Sequence, residues 1–542
     1  MAPLSVNEVL VNCAGQEQIY RCRARRVGNA RRARGAPVIT TPHTQLRTQA
    51  LVVLVGVVAL GAVVFGAVRA LDSAGWVGVP LLVMAIVGST ILFLIPVEWL
   101  PATAVVMFAV IPDKLTPSNG TFGTIPLVTF VIVIWVVRRL LLQQGTTAAV
   151  SGGRRISGAR AFALLAATFF LIWLIVTTIG SQAVSTSTTW TICFVASAML
   201  VMLVPSAATE ARLLREAWIR VGFWFGVYAA IEVALGSSPL YGPLYRAVGA
   251  ESVQHWSVYR AEVGFGHPIW AGAFFAPAAI LGLVYWLQTG RLKYLIFGAG
   301  AAVGVVSTVT RGSIGAIGIA IGAAVVIVAL FTTRRSLWRI FGSIVGTAMA
   351  AVAVLVVSPL AERAQSVEGT LSTGARDLGT TVALKAAADS AFLGAGPGTS
   401  GISGRRYSDI VIESSILQLL ISVGIPGVIL FFGIVTALVI NALRVQDVAA
   451  AAALVAFVIA ISSFNSLDAI RSQHLLLGLL FLICLFPSTP LPRPPRPSPH
   501  RSDHFDVRPR TSPLLAAARS TALVSATPSA YSPSSFSPSA KT

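Results

Sequence analysis

Residues 160–180 read RAFALLAATFFLIWLIVTTIG, with a single charged side chain, the arginine at the first position. A helix rises 1.5 Å per residue, so about 20 apolar residues cross the hydrocarbon core of a bilayer. This stretch therefore predicts a transmembrane helix. The whole chain is similar in character: its 542 residues are 55% hydrophobic and 11% charged, with a mean hydropathy of +0.80. Soluble domains do not have this composition.

Comparable apolar runs recur along the whole sequence. They lie at 50–68, 76–95, 99–112, 122–142, 160–180, 189–206, 217–235, 268–288, 291–309, 312–333, 338–358, 424–443, 447–463 and 472–487. The run at 99–112 is short, and helix boundaries are uncertain by a few residues. We predict an all-α polytopic membrane protein with about 12–14 transmembrane helices, which form a membrane domain over 49–487.

The basic residues predict how the chain is oriented. With the N-terminus in the cytosol, every second connection is rich in arginine, and the others are nearly uncharged. The arginine-rich connections carry Arg138, Arg139, Arg154, Arg155, Arg160, Arg212, Arg215, Arg291, Arg334, Arg335, Arg339 and Arg444. This positive-inside pattern predicts a multi-pass protein of the cytoplasmic membrane with both tails, 1–48 and 488–542, cytosolic and disordered. The net charge of +20 thus orients the chain in a lipid bilayer and does not indicate nucleic-acid binding.

The same orientation places the longest polar interruption, 359–413, outside the cell. Its pattern of Leu378, Val382, Leu384 and Ala388 predicts an amphipathic helix on the membrane surface. A glycine-rich turn, 394–398, follows, and its backbone N–H groups are candidates to hold an anion. A plain turn is the alternative.

Arginines outside the cell run against the positive-inside pattern and need a reason. Arg260, Arg311 and Arg376 lie in three such segments. A guanidinium binds phosphate oxygens in pairs and keeps its charge, so we expect these three to converge on a phosphorylated ligand. For Arg311 the alternative partner is a protein carboxylate such as Glu232. Near the membrane surface, His267 is either a solvated residue or a hydrogen-bonding partner of substrate.

Three patterns in order resemble the O-antigen ligase and polymerase superfamily of bacterial envelope polysaccharide assembly. They are RAEVGFGHP at 260–268, TRGS at 310–313, and the block from Arg376 through LGAGPGTS to IESSILQLLISVGIPG, ending at 427. The resemblance covers roughly 217–445. It implies a glycosyltransferase that takes glycan from a polyprenyl-diphosphate-linked oligosaccharide, outside the cytoplasmic membrane, and transfers it to an acceptor glycan or lipid.

The resemblance also implies catalysis without a metal or a nucleotide sugar, and therefore no cofactor. The sequence has no D-x-D motif and no His/Cys cluster with ligand spacing. Arg260, Arg311 and Arg376 would bind the diphosphate, and Arg405 and Arg406 the glycan or headgroup. Many members have His-Asn where this chain has Glu413 and Ser414. Glu413 or His267 would then be the base that deprotonates the acceptor, unless Glu413 is only an acid at a helix start.

Two other functions stay open. A flippase or transporter would also have glycine-rich spans and charges within the membrane. A subunit that binds lipid-linked glycan without catalysis would account for the missing His-Asn pair.

Overall fold

The computed structural model describes residues 94–112, 125–144, 157–247, 258–331, 367–468 and 471–487, with isolated positions near 88–92 and 338–342. Both predicted tails and the apolar run at 50–68 lie outside the described residues, as do most of the runs at 76–95 and 338–358. The described part of the chain is helical and contains no strand. The predicted all-α class is therefore confirmed.

The helices follow one another with short connections. They are α1 Leu100–Val110, α2 Leu127–Gln144, α3 Gly158–Ile179, α4 Val184–Phe194, α5 Ala208–Leu235, α6 Tyr241–Ala247, α7 Pro268–Thr289, α8 Leu292–Ser307, α9 Arg311–Phe331, α10 Val367–Asp389, α11 Ser400–Gly404, α12 Ser415–Arg444, α13 Val448–Ser462 and α14 Gln473–Leu485. A π-helical and a 3₁₀ turn extend α4 to Leu203. In the described residues, six helices are long and apolar enough to cross a membrane, so the chain is a multi-pass membrane protein.

Two boundaries differ from the prediction. The span expected to begin at 189 begins at Val184, and the span expected at 424–443 is the second part of a 30-residue helix that begins at Ser415. In the second case the polar start ESS masked the helix, because apolar periodicity alone does not mark a capped first turn. Ser414 provides that cap, since its Oγ accepts from the Leu417 N–H at 3.4 Å.

The long helices run alternately up and down and give the bundle two ends. At one end, which we call the Arg-rich end, the Arg160 side chain contacts the carbonyls of Val204 and Pro205. At the other end, the loop end, the connections after α3, α5, α8, α10 and α13 meet. The Tyr241 hydroxyl donates to the Val110 carbonyl there, which places the end of α1 among these connections.

Close helix contacts hold α7 against α5 and α8. A Cβ at Gly226 would lie 2.1 Å from the Gly300 carbonyl oxygen, and one at Gly282 would lie 2.6 Å from the Gly298 Cα. Small residues let helix backbones approach closely where no hydrophobic effect drives association. This packing fixes α7, 72% of whose most apolar stretch is buried, as the centre of the bundle.

Helix α10 is amphipathic, but its buried face is not the predicted one. Val382, Ala383, Ala386 and Ala387 are buried, whereas Leu378, Leu384 and Ala388 are exposed. The prediction followed the largest apolar side chains. The structure instead buries the small ones, because α10 packs closely against α12 and leaves no room for leucine.

Candidate functional site

Helix α12 is interrupted inside its apolar length. Gly424 has φ 68° and ψ −177°, a backbone conformation essentially restricted to glycine. Pro426 follows two residues later and lacks an N–H group, so the helical hydrogen bonds cannot continue normally across this point. The interruption frees backbone carbonyls within the bundle, which must find other donors.

The glycine-rich turn supplies those donors. The N–H groups of Ala395 and Gly396 donate to the carbonyls of Ile421 and Ser422, at 2.8 and 3.0 Å. The Trp173 indole N–H donates to the Val423 carbonyl at 2.7 Å. The turn and the interrupted helix therefore form one unit, held by backbone pairing.

This arrangement contradicts the prediction that the turn cradles an anion. Its N–H groups are already used within the protein: besides Ala395 and Gly396, Gly394 donates to the Ser390 hydroxyl at 3.3 Å. Gly398 (φ 78°) lies against Trp190, where a side chain would not fit. The plain-turn alternative is the one that the structure supports.

An acidic residue that the sequence analysis passed over holds the next part of the turn. Asp468, in the loop between α13 and α14, accepts from the Ser400 N–H at 2.9 Å and from the Ser422 hydroxyl at 3.1 Å. Burial raises the pKa of Asp468 above its ordinary value, and the hydrogen bonds from Ser400, Ser422 and the Gly398 backbone oppose that shift. An acid between two apolar runs was the signal that could have identified it.

The same loop, residues 463–468, joins the starts of two long helices. The Ser415 hydroxyl at the start of α12 donates to the Phe464 carbonyl at 2.7 Å and accepts from the Ser466 N–H at 2.8 Å. Gly312, in the first turn of α9, lies so close to Ser463 that a Cβ would approach its Oγ to 1.8 Å. We call residues 463–468 the anchor loop, because it positions α9, α12 and the glycine-rich turn together.

Arg260 and Arg311 come from neighbouring segments. The Ala261 N–H donates to the Ser307 carbonyl at 3.0 Å, and the Arg260 Nε donates to the Thr308 carbonyl at 3.0 Å. Arg260 is buried, with 3% exposure. Arg311, three residues after Thr308, is exposed and forms no side-chain hydrogen bond or ion pair with the described part of the chain.

The proposed pairing of Arg311 with Glu232 is wrong. The Glu232 carboxylate accepts from the backbone N–H groups of Glu262 and Val263, at 3.2 and 3.0 Å, and from the Ser238 hydroxyl at 2.5 Å. It thus fixes the turn that follows Arg260. A buried carboxylate is stabilised as well by several N–H donors as by a guanidinium, which is why charge matching alone misled the prediction.

His267 caps the start of α7. Its Nδ1 accepts from the Ile269 N–H at 3.2 Å, and its ring lies 5.5 Å from the ring of Trp270. With Nδ1 used as an acceptor, the neutral ring carries its proton on Nε2. In this geometry His267 can donate a hydrogen bond through Nε2, but it has no free lone pair to accept a proton from a substrate hydroxyl.

Arg376 and Glu413 contact each other. The Arg376 Nε lies 3.1 Å from the Glu413 Oε2, and the two side chains are 47% and 39% exposed. Arg406 donates to the Gln182 side chain in the connection after α3, and Arg405 beside it is exposed. The contacts therefore place Arg376 with Glu413 and Arg260 next to the segment that carries Arg311. The anchor loop connects the two groups.

Comparison of the sequence with protein-family models and with curated proteins found no match. The described residues contain no group of three or more His, Cys, Asp or Glu side chains placed to hold a metal ion. The candidate site at the loop end thus consists of guanidiniums, one exposed carboxylate and a histidine that caps a helix. Such a site is suited to bind a multiply charged anion and to accept one proton from it or beside it.

Proposed function

We propose that the chain is a membrane glycosyltransferase that uses a polyprenyl-diphosphate-linked oligosaccharide as its donor. The observation that carries this proposal is Arg311, an exposed guanidinium at the start of an apolar helix with no partner in the described chain. An arginine at such a position is costly unless an anion binds it. A diphosphate on a lipid carrier has both the charge and the location to do so.

The chemistry that the site would perform is a displacement at the anomeric carbon. The acceptor hydroxyl oxygen attacks this carbon, and the bond to the diphosphate oxygen breaks, with its electron pair leaving on the diphosphate. Fixed cations such as Arg260, Arg311 and Arg376 lower the barrier by stabilising the charge that develops on the leaving group. Glu413 accepts the proton of the acceptor hydroxyl. A single displacement of this kind inverts the anomeric configuration.

His267 has a lesser role in this scheme than the sequence suggested. Since its Nδ1 caps α7, it can orient a phosphate or glycan oxygen through Nε2–H but not act as the base. Glu413 is the side chain of the two that has unshared lone pairs toward solvent, and its residue lies two positions before the anchored Ser415. Arg405 and Arg406 would contact the glycan or the lipid headgroup outside this centre.

The competing function is a flippase or transporter, and the interruption of α12 is the observation that favours it. Transporters use interrupted helices whose free carbonyls bind coupling ions. Here the carbonyls of Ile421, Ser422 and Val423 all accept from protein N–H groups. That difference supports the transferase. A binding subunit without catalysis remains as the alternative in which Glu413 accepts no proton.

The test is transfer by the full chain in liposomes that contain a polyprenyl-diphosphate-linked glycan and an acceptor. We expect glycan transfer by the wild type, and a loss of at least about 100-fold in Arg311→Ala and in Arg260→Ala. Arg220→Ala is the matched control, because Arg220 is an exposed arginine of α5 at the Arg-rich end. Wild-type rates in Arg311→Ala would refute the proposal. Glycan that crosses the bilayer without transfer would instead establish the transporter.

A further inference from the structure

Two residues that the proposed mechanism assigns to separate tasks hold each other in this structure. Arg376 should bind the donor diphosphate and Glu413 should accept the acceptor proton, yet the Nε of one lies 3.1 Å from the Oε2 of the other. While this contact lasts, neither side chain is fully available for its task. The two tasks are therefore linked through one contact.

The surrounding backbone positions this contact. Residues 410–414 are extended and run beside α10, where the Cβ position of Gly379 lies 3.9 Å from the Ile412 Cα. The absence of a side chain at Gly379 lets the extended segment approach, one helical turn from Arg376. Two residues beyond Glu413, the Ser415 hydroxyl is fixed by the anchor loop. Glu413 thus faces Arg376 on a backbone that is held on both sides.

The contact is weak enough to exchange. Exposed guanidinium–carboxylate pairs in water typically shift an equilibrium by only about two- to five-fold. A diphosphate carries more charge than a carboxylate and can bind a guanidinium through two oxygens. Diphosphate therefore competes effectively with Glu413 for Arg376.

We propose that donor binding exchanges the partner of Arg376 and so makes Glu413 available as the base. This inference rests on the proposed function. The diphosphate takes the guanidinium from Glu413, and the freed carboxylate oxygen then accepts the acceptor hydroxyl proton as the bond from oxygen to the anomeric carbon forms. Before the donor arrives, Arg376 occupies the carboxylate, so a water molecule or a free acceptor is not activated prematurely.

The first experiment measures inorganic pyrophosphate binding to the full chain in lipid nanodiscs by titration calorimetry. We expect Glu413→Gln to bind pyrophosphate about two- to five-fold more tightly than the wild type, because Arg376 loses its competitor. The same variant should lose at least about 100-fold in glycan transfer. Glu216→Gln is the matched control, since it removes an exposed carboxylate 3.0 Å from Arg220 and should change neither value. Unchanged or weaker pyrophosphate binding in Glu413→Gln would overturn the exchange.

The second experiment reverses the pair in the double variant Arg376→Glu with Glu413→Arg. This variant restores opposite charges at the two positions, so a purely structural ion pair predicts recovered transfer. The exchange predicts no recovery, since the diphosphate would then meet a carboxylate on α10. Recovery would therefore contradict the exchange.

The two proposals fail in different ways. If the wild type binds no pyrophosphate and Arg311→Ala transfers glycan normally, the proposed function itself is wrong. If Arg311→Ala loses both binding and transfer while Glu413→Gln binds as the wild type does, only the exchange is wrong.

Discussion

The two ends of the helical bundle use arginine differently. At the Arg-rich end, guanidiniums bind the protein's own backbone: Arg138 donates to the Leu92 and Ile95 carbonyls, and Arg339 donates to the Leu287 carbonyl. At the loop end, Arg311 and Arg405 form no such contact within the described residues. The carbonyls at a helix C-terminus lack intrahelical partners and carry partial negative charge, which explains why arginine from a neighbouring helix binds there.

The two carboxylate pairs differ in the same way. Arg215 and Asp447, at the Arg-rich end, are 2.6 Å apart and 3% and 0% exposed, and Asp447 also caps α13 through the Ala450 N–H. Arg376 and Glu413 have a similar contact but lie in solvent. Burial therefore makes the first pair a structural element, whereas the second is free to exchange. Orientation in the membrane and helix capping are combined at one end, and the arginines available to a ligand are at the other.

The largest expected effect comes from breaking the buried pair. Asp447→Ala leaves the Arg215 guanidinium buried without its carboxylate and should cost about 3–5 kcal/mol of unfolding free energy. Glu413→Ala, at the exposed pair, should cost no more than about 1 kcal/mol. Denaturant unfolding of both variants in detergent compares them directly. Equal losses would show that the two ends do not differ as described.

The next effect concerns the interruption of α12. Gly424→Ala should strain the backbone by about 1–3 kcal/mol, because φ is 68° there. The new Cβ would also come within 2.3 Å of the Phe392 carbonyl oxygen and displace the glycine-rich turn. Gly315→Ala on α9 is the control, since no atom lies within 4 Å of its Cβ position. Limited proteolysis between α10 and α12 should increase only in Gly424→Ala, and equal cleavage of both variants would contradict this reading.

A smaller effect tests the arginines that cap neighbouring helices. Arg138→Lys keeps the charge but cannot reach both carbonyls with the same geometry, and should cost about 1 kcal/mol of unfolding free energy. Arg405→Lys should leave stability unchanged, as its side chain forms no hydrogen bond in the described structure. Thermal unfolding measures both. A stability loss in Arg405→Lys equal to that in Arg138→Lys would remove the contrast between the two ends.

The smallest effect is the pH dependence that Asp468 contributes. Its folded pKa is raised mainly by burial, so the folded state binds this proton more tightly than the unfolded state. Its contribution to stability is therefore largest at low pH and declines as the pH rises from about 3.8 through the raised value. Asp468→Asn, which keeps an oxygen acceptor, should flatten the thermal stability curve over that acidic range. An unchanged curve would show that Asp468 is not desolvated in solution.

Sequence and structure agree best where one local property decides the outcome. The apolar runs predicted helices because backbone groups in lipid must be hydrogen-bonded within the helix. The glycine-rich turn was located correctly, but its role was not. Whether its N–H groups meet an anion or a carbonyl depends on the interruption of α12, about 25 residues further along the chain. The partner of Glu232 was missed for the same reason, since backbone donors leave no trace in the sequence.

The sequence alone determined the helical class, the apolar runs and the segments where arginine needs a partner. Composition and periodicity report the solvent that each residue faces, and these properties are local. Only the tertiary structure decided that Arg376 lies against Glu413, that α10 buries alanines rather than leucines, and that the anchor loop holds α9, α12 and the turn. Those outcomes depend on which backbones approach one another, and that is fixed by packing between segments distant in the chain.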